Sequence, residues 1–117
     1  MKWIKCIVLA LLLATQSITI TQAQPAQKTI EIHAHRFSFE PAEITLKRNE
    51  TVRLRLVSED VTHALLVPDL NINQEIKKGN PVEIEVTPTT IGDFHGQCGH
   101  FCGNGHGSMT FVVHVEE

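Results

Sequence analysis

The sequence predicts an all-β sandwich, and three observations lead there. Apolar and polar residues alternate with period two along several short runs, turn-forming residues separate those runs, and nothing beyond residue 23 reads convincingly as a helix. Such alternation sets one face of each strand in a core and the other in water. Several short strands at this spacing pack as two facing sheets.

Taken in order, residues 29–35 place Ile30, Ile32 and Ala34 on one face and Glu31 and His33 on the other. Residues 43–47 form a run that Arg48-Asn49-Glu50 closes, and Asn tolerates the left-handed backbone a tight turn needs. In 51–57, Val52, Leu54 and Leu56 alternate with Arg53 and Arg55. Lys78-Gly79-Asn80-Pro81 then leads into 82–87, where Val82, Ile84 and Val86 alternate with Glu83 and Glu85 before Pro88. The last run sets Met109, Phe111, Val113 and Val115 against Thr110 and His114. There is no internal repeat or linker, so the chain is one domain.

Residues 1–23 are set aside from the fold. Lys2 and Lys5 precede an apolar run, Cys6 to Ala14, and Thr21-Gln22-Ala23 offers small residues for cleavage before Gln24. Nine apolar residues fall short of the roughly 20 that span a bilayer. The segment reads as a cleaved secretory signal, with the domain at 24–117. The expected location is the periplasm or the exterior of the cell envelope. Without the signal, 8 bases face 13 acids and the formal charge moves from −3 to −5. A nucleic-acid partner is therefore not expected.

The cysteines carry the chemistry. Cys6 leaves with the signal, so the mature chain keeps Cys98 and Cys102, four apart in CGHFCGNGHGSM, residues 98–109. A disulfide closing so small a loop removes little chain entropy and makes a poor staple. The donors instead run Cys98-x3-Cys102-x3-His106-x2-Met109, with His63 far upstream. Thiolate, imidazole and thioether together favour copper. Zinc would take four Cys or His ligands and leave Met109 without a role. Gly99, Gly103, Gly105 and Gly107 let the backbone fold closely around a small centre. On the residues alone two readings stay open: one copper held by His63, Cys102, His106 and Met109, with Cys98 spare or disulfide-bonded in the apo protein, or two coppers sharing both sulfurs.

These residues resemble the copper loop of the cupredoxins, which are Greek-key β-sandwiches. Gly92 to Cys98 looks like the strand entering that loop, Phe39-Glu40-Pro41-Ala42-Glu43-Ile44 like an early strand of the family, and Asp60-Val61-Thr62-His63 like the segment around its first histidine. With Cys98 added, the pattern resembles the binuclear copper A domain of cytochrome c oxidase subunit II and of nitrous oxide reductase. The resemblance implies that Cys98 and Cys102 bridge two copper ions and that His63 and His106 bind one each. It implies weak ligands from Met109 and from the backbone carbonyl of His100. It further implies a monomeric single-electron carrier with redox partners such as a c-type cytochrome or an oxidase, and no substrate chemistry of its own. Copper delivery is the alternative. The chain departs from the family in carrying His100 where subunit II usually has Glu, in having Ala64-Leu65-Leu66 where an aromatic usually follows the first histidine, and in having a signal-like segment where transmembrane helices usually precede the domain.

The remaining polar residues near this set are read blandly. His95 and the side chain of His100 are solvent-facing or second neighbours of the metal, His33, His35 and His114 are surface residues, and Asp60 orders its turn or supports His63. A nucleophilic Cys–His pair lacks any oxyanion-hole signature, and a redox dithiol would sit as Cys-x2-Cys at the start of a helix.

Overall fold

The computed structural model describes residues 18–20 and 27–117, and the segment read as a signal, 1–23, lies outside the described residues apart from 18–20. Nine strands follow one another: β1 (Thr29–His35), β2 (Ser38–Glu40), β3 (Glu43–Lys47), β4 (Val52–Ser58), β5 (His63–Val67), β6 (Ile72–Ile76), β7 (Val82–Val86), β8 (Gly92–Cys98) and β9 (Thr110–Glu116). Two single-turn 3-10 helices, Pro68–Leu70 and His106–Ser108, are the helical elements among the described residues. No helix there is long and apolar enough to cross a membrane.

The strands form two sheets, ordered β2-β1-β4-β7 and β3-β9-β8-β5-β6, and pack as the expected sandwich. β1 runs parallel to β4, and β3 parallel to β9; the other pairs are antiparallel. The period-two faces fall where the alternation puts them. Ile32, Ala34, Leu54, Leu56, Met109, Phe111 and Val113 are buried, while Glu31, His33, Arg53, Arg55, Glu83 and Glu85 lie outside the core. Phe39 and Phe111 meet edge to face between the sheets, ring centroids 5.7 Å apart, which is a favoured aromatic geometry. On the outer face of the first sheet Arg55 bridges Glu31 and Glu83, and Arg53 bridges Glu83 and Glu85.

The family-like stretch 39–44 is not one strand. Pro41 has no amide to give a ladder, so the chain leaves the first sheet after β2 and re-enters the second as β3. The turns behave as their residues demand: Asn49 has φ of 64° and Gly79 of 80°.

Strand pairing decides where the chemistry lies. β5 sits between β6 and β8, with Leu65 opposite Cys98. One end of the sandwich therefore gathers the β4–β5 turn, the end of β8, the loop from Gly99 to Met109, and the β1–β2 turn.

Candidate metal centre

His63 opens β5 and is fully buried. The turn ahead of it is tightly tied: the Ser58 hydroxyl donates to the Val61 carbonyl, and Asp60 Oδ1 accepts from the Val61 amide at 2.6 Å. The same Oδ1 lies 2.7 Å from His63 Nε2. A carboxylate there accepts a hydrogen bond from Nε2–H, which keeps the proton on Nε2 and leaves Nδ1 its lone pair. That Nδ1 faces Cys98 Sγ at 3.9 Å. Asp60 Oδ2 accepts from the Arg36 amide at 2.7 Å. Partial burial works to raise the Asp60 pKa, but the bonds from Arg36, His63 and Val61 outweigh it and hold the carboxyl at about 2.

Cys98 ends β8. Its amide donates to the Met109 carbonyl, and the next amide, Gly99, donates to Ala64, so the sulfur is fixed from both neighbouring strands. The His100 carbonyl oxygen is 3.1 Å from Cys98 Sγ, while the His100 side chain is exposed. The loop then brings back a second sulfur. Cys102 is buried, with its Sγ 3.9 Å from His106 Nδ1 and 4.0 Å from Met109 Sδ. The short turn Gly103–Met109 is closed by amides of His106, Ser108 and Met109 bonding to Gly103, Gly105 and His106. Gly103 takes φ of +138°, and a Cβ at Gly105 would collide with the Phe37 ring. Gly107, expected to serve close packing too, has open space around it.

All the residues singled out from the sequence meet at this end. His63, Cys98 and Cys102 each offer a donor atom, and the three lie within 4.8 Å of one another. His106 and Met109 approach from the Cys102 side. Both cysteines are free thiols, which does not match the disulfide alternative. Burial, followed by the neighbouring Cys98 sulfur and Asp60, pushes the Cys102 thiol up to about 11, against the opposing pull of Arg36. A metal with bonds of about 2.0–2.3 Å to nitrogen and sulfur spans donors some 3.5–4 Å apart. The two Sγ–Nδ1 separations and the Sγ–Sδ separation match that span, and the soft, buried donor set suits copper.

The histidines read as bystanders stay apart. His95 is exposed on β8, and His33 and His35 pair with Glu31, Glu59 and Glu40 on the outside of β1. His114 sits between Asp93 and Glu43. Two residues at the site escaped the sequence reading, Arg36 and Phe37. Arg36 Nε donates to the Cys102 carbonyl at 2.9 Å, and Phe37 lies under Gly103 and Gly105. Their distance of more than 60 positions along the chain left no local signal.

Comparison with known proteins places the fold among relatives. The family described as Cupredoxin-like domain matches residues 6–111. The chain is 29% identical over 98 residues to cytochrome c oxidase subunit 2 of Thermus thermophilus, a match covering 84% of this chain and 73% of that protein. A second Thermus thermophilus protein of the same description matches at the same identity over 58% of its length. The chain is 39% identical over 70 residues to a probable cytochrome c oxidase subunit 2 of Streptomyces coelicolor, covering 60% of this chain and 22% of that longer relative. The solved periplasmic domain of subunit II of cytochrome oxidase from Bradyrhizobium japonicum has a TM-score of 0.72 at 20% identity, covering 80% of this chain and 87% of that one. The two-sheet sandwich and a match that takes in His63, Cys98, Cys102, His106 and Met109 lead to one conclusion: this chain belongs to the cupredoxin-like domain family.

Proposed function

We propose that this chain is an exported copper protein that relays single electrons through a centre of two copper ions bridged by Cys98 and Cys102. His63 and His106 would each supply one Nδ1, and Met109 and the His100 carbonyl would be the weaker donors. The observation that carries this reading is the pairing of each buried sulfur with its own histidine, at 3.9 Å in both cases. A single copper held by His63, Cys102, His106 and Met109 would leave Cys98 a spare buried thiol.

Two thiolate-bridged coppers can share one unpaired electron, so that little geometry changes between oxidation states. The chain's own part is to keep that geometry fixed and dry. Asp60 holds the His63 ring by its Nε2 proton, the two neighbouring strands anchor Cys98, and burial shields both sulfurs from water. The exposed Phe101 ring, 5.8 Å from the His106 ring, gives this end an apolar face for a redox partner such as a c-type cytochrome or an oxidase. The subunit II relatives support such a partner and an exported location.

The test is copper stoichiometry and electron paramagnetic resonance on the chain expressed from residue 24. Two coppers per chain, a purple colour and spin shared over two copper nuclei are expected. A blue protein with one copper would overturn the binuclear centre, and copper that passes readily to an acceptor with no stable two-copper oxidised state would mean delivery in place of electron transfer.

A further inference from the structure

The β1–β2 turn crosses the sandwich end to reach both halves of the donor set. The Arg36 amide donates to Asp60 Oδ2, whose other oxygen meets His63 Nε2. The guanidinium of the same residue donates to the Cys102 carbonyl, a separation of 66 residues in sequence. Next to it, Phe37 floors the loop so closely that Gly105 leaves no room for a side chain above the ring and Gly103 leaves little. Between its tied ends, Gly99 on Ala64 and Met109 on Cys98, the loop's own hydrogen bonds are few and short-range, and it carries Cys102, His106 and Met109. Without an outside anchor such a segment would open on its own.

We propose that Arg36 is a positioning residue and that the Arg36–Phe37 turn is a strap, tying the loop of Cys102 to the turn of Asp60 and His63 so that the donors stand ready before any metal arrives. A charge-assisted bond to a carbonyl is stronger than a neutral one, and its loss frees the loop without touching the core. The strap rests on the copper reading for its purpose, but its existence is testable in the metal-free chain.

Arg36→Gln is the test, followed by amide hydrogen exchange of the reduced, metal-free protein. The amides of His106, Ser108 and Met109 should exchange about tenfold faster, as expected for one lost charge-assisted bond, while core amides such as Leu54 and Val113 keep their native rates. Phe37→Ala should loosen the same amides. In the copper-loaded variant the reduction potential and the visible absorption bands should shift, since the Cys102 backbone that carries Sγ is no longer tied to Arg36. Unchanged exchange in the loop overturns the strap, and so does a rise that spreads equally to the core, which would make Arg36 a general scaffold residue. Local loosening with an unmoved potential and spectrum overturns the positioning role. A chain that loads one copper or none sinks the proposed function instead, and the exchange measurement still decides the strap.

Discussion

At His63 the two ring nitrogens have different neighbours, a carboxylate on Nε2 and a sulfur facing Nδ1. The carboxylate selects the tautomer, orients the ring and makes the free nitrogen more basic. Asp60→Ala should therefore weaken copper binding by roughly 10–100-fold, the usual effect of losing such a support, in competition against a chelator of known affinity. The substitution leaves every metal-donor atom in place, so native affinity would mean the ring needs no help from Asp60. Cys98→Ser tests the sulfur bridge more directly. Elemental analysis should find at most one copper per chain, and retention of two would show that Cys98 does not bridge.

The loop from Gly99 to Met109 shows how an element can be shaped by what lies beneath it. Gly105 rests on the Phe37 ring, whereas Gly107 faces open space. Gly105→Ala should cost about 1–3 kcal/mol in denaturant unfolding, as overpacking does, and should impair copper loading. Gly107→Ala should stay within about 0.5 kcal/mol of native, as surface changes usually do. Equal effects at both positions would mean the loop is not seated on Phe37. Strand β5 makes a related point. Its sequence, HALLV, is buried at four of five positions because β6 and β8 flank it and the other sheet covers it. A central strand of that kind shows no alternation, and periodicity along the chain cannot mark it.

Across the whole sandwich, His114 on β9 links two neighbouring strands through Asp93 on β8 and Glu43 on β3. The hydrogen bond His114 donates to Asp93, then the one it donates to Glu43, raises its pKa above the ordinary 6.5. A raised histidine pKa gives stability that is fully present below the unfolded value and is lost as pH climbs through the folded one. His35 acts in the same direction: partial burial lowers its pKa, but Glu40, the Arg36 carbonyl and Glu59 together more than compensate. The thermal midpoint should therefore fall as pH rises above about 6.5, and it should fall less steeply in Asp93→Asn. Equal slopes in native and variant would show that His114 is not linked to folding.

The chain by itself determined a good deal. Alternation in 29–35, 51–57, 82–87 and 109–115 reports which side of each strand meets water, and it located β1, β4, β7 and β9. The string Cys98, Cys102, His106 and Met109 is local, so its spacing exposed the softness of the donors before any fold was known. Other features were decided only in three dimensions. β6, INQEI, is apolar at its ends and polar between them, and its place was set by pairing with β5. Pro41 split a stretch that reads as one strand between two sheets. His63 reaches Cys98 because Leu65 pairs with Cys98, and Arg36 reaches Cys102 because two turns meet at one end of the sandwich. The physical reason is common to all of these. Periodicity and spacing record how a segment meets its immediate surroundings, whereas the neighbours of a strand or turn are chosen by burying apolar faces contributed from the entire chain.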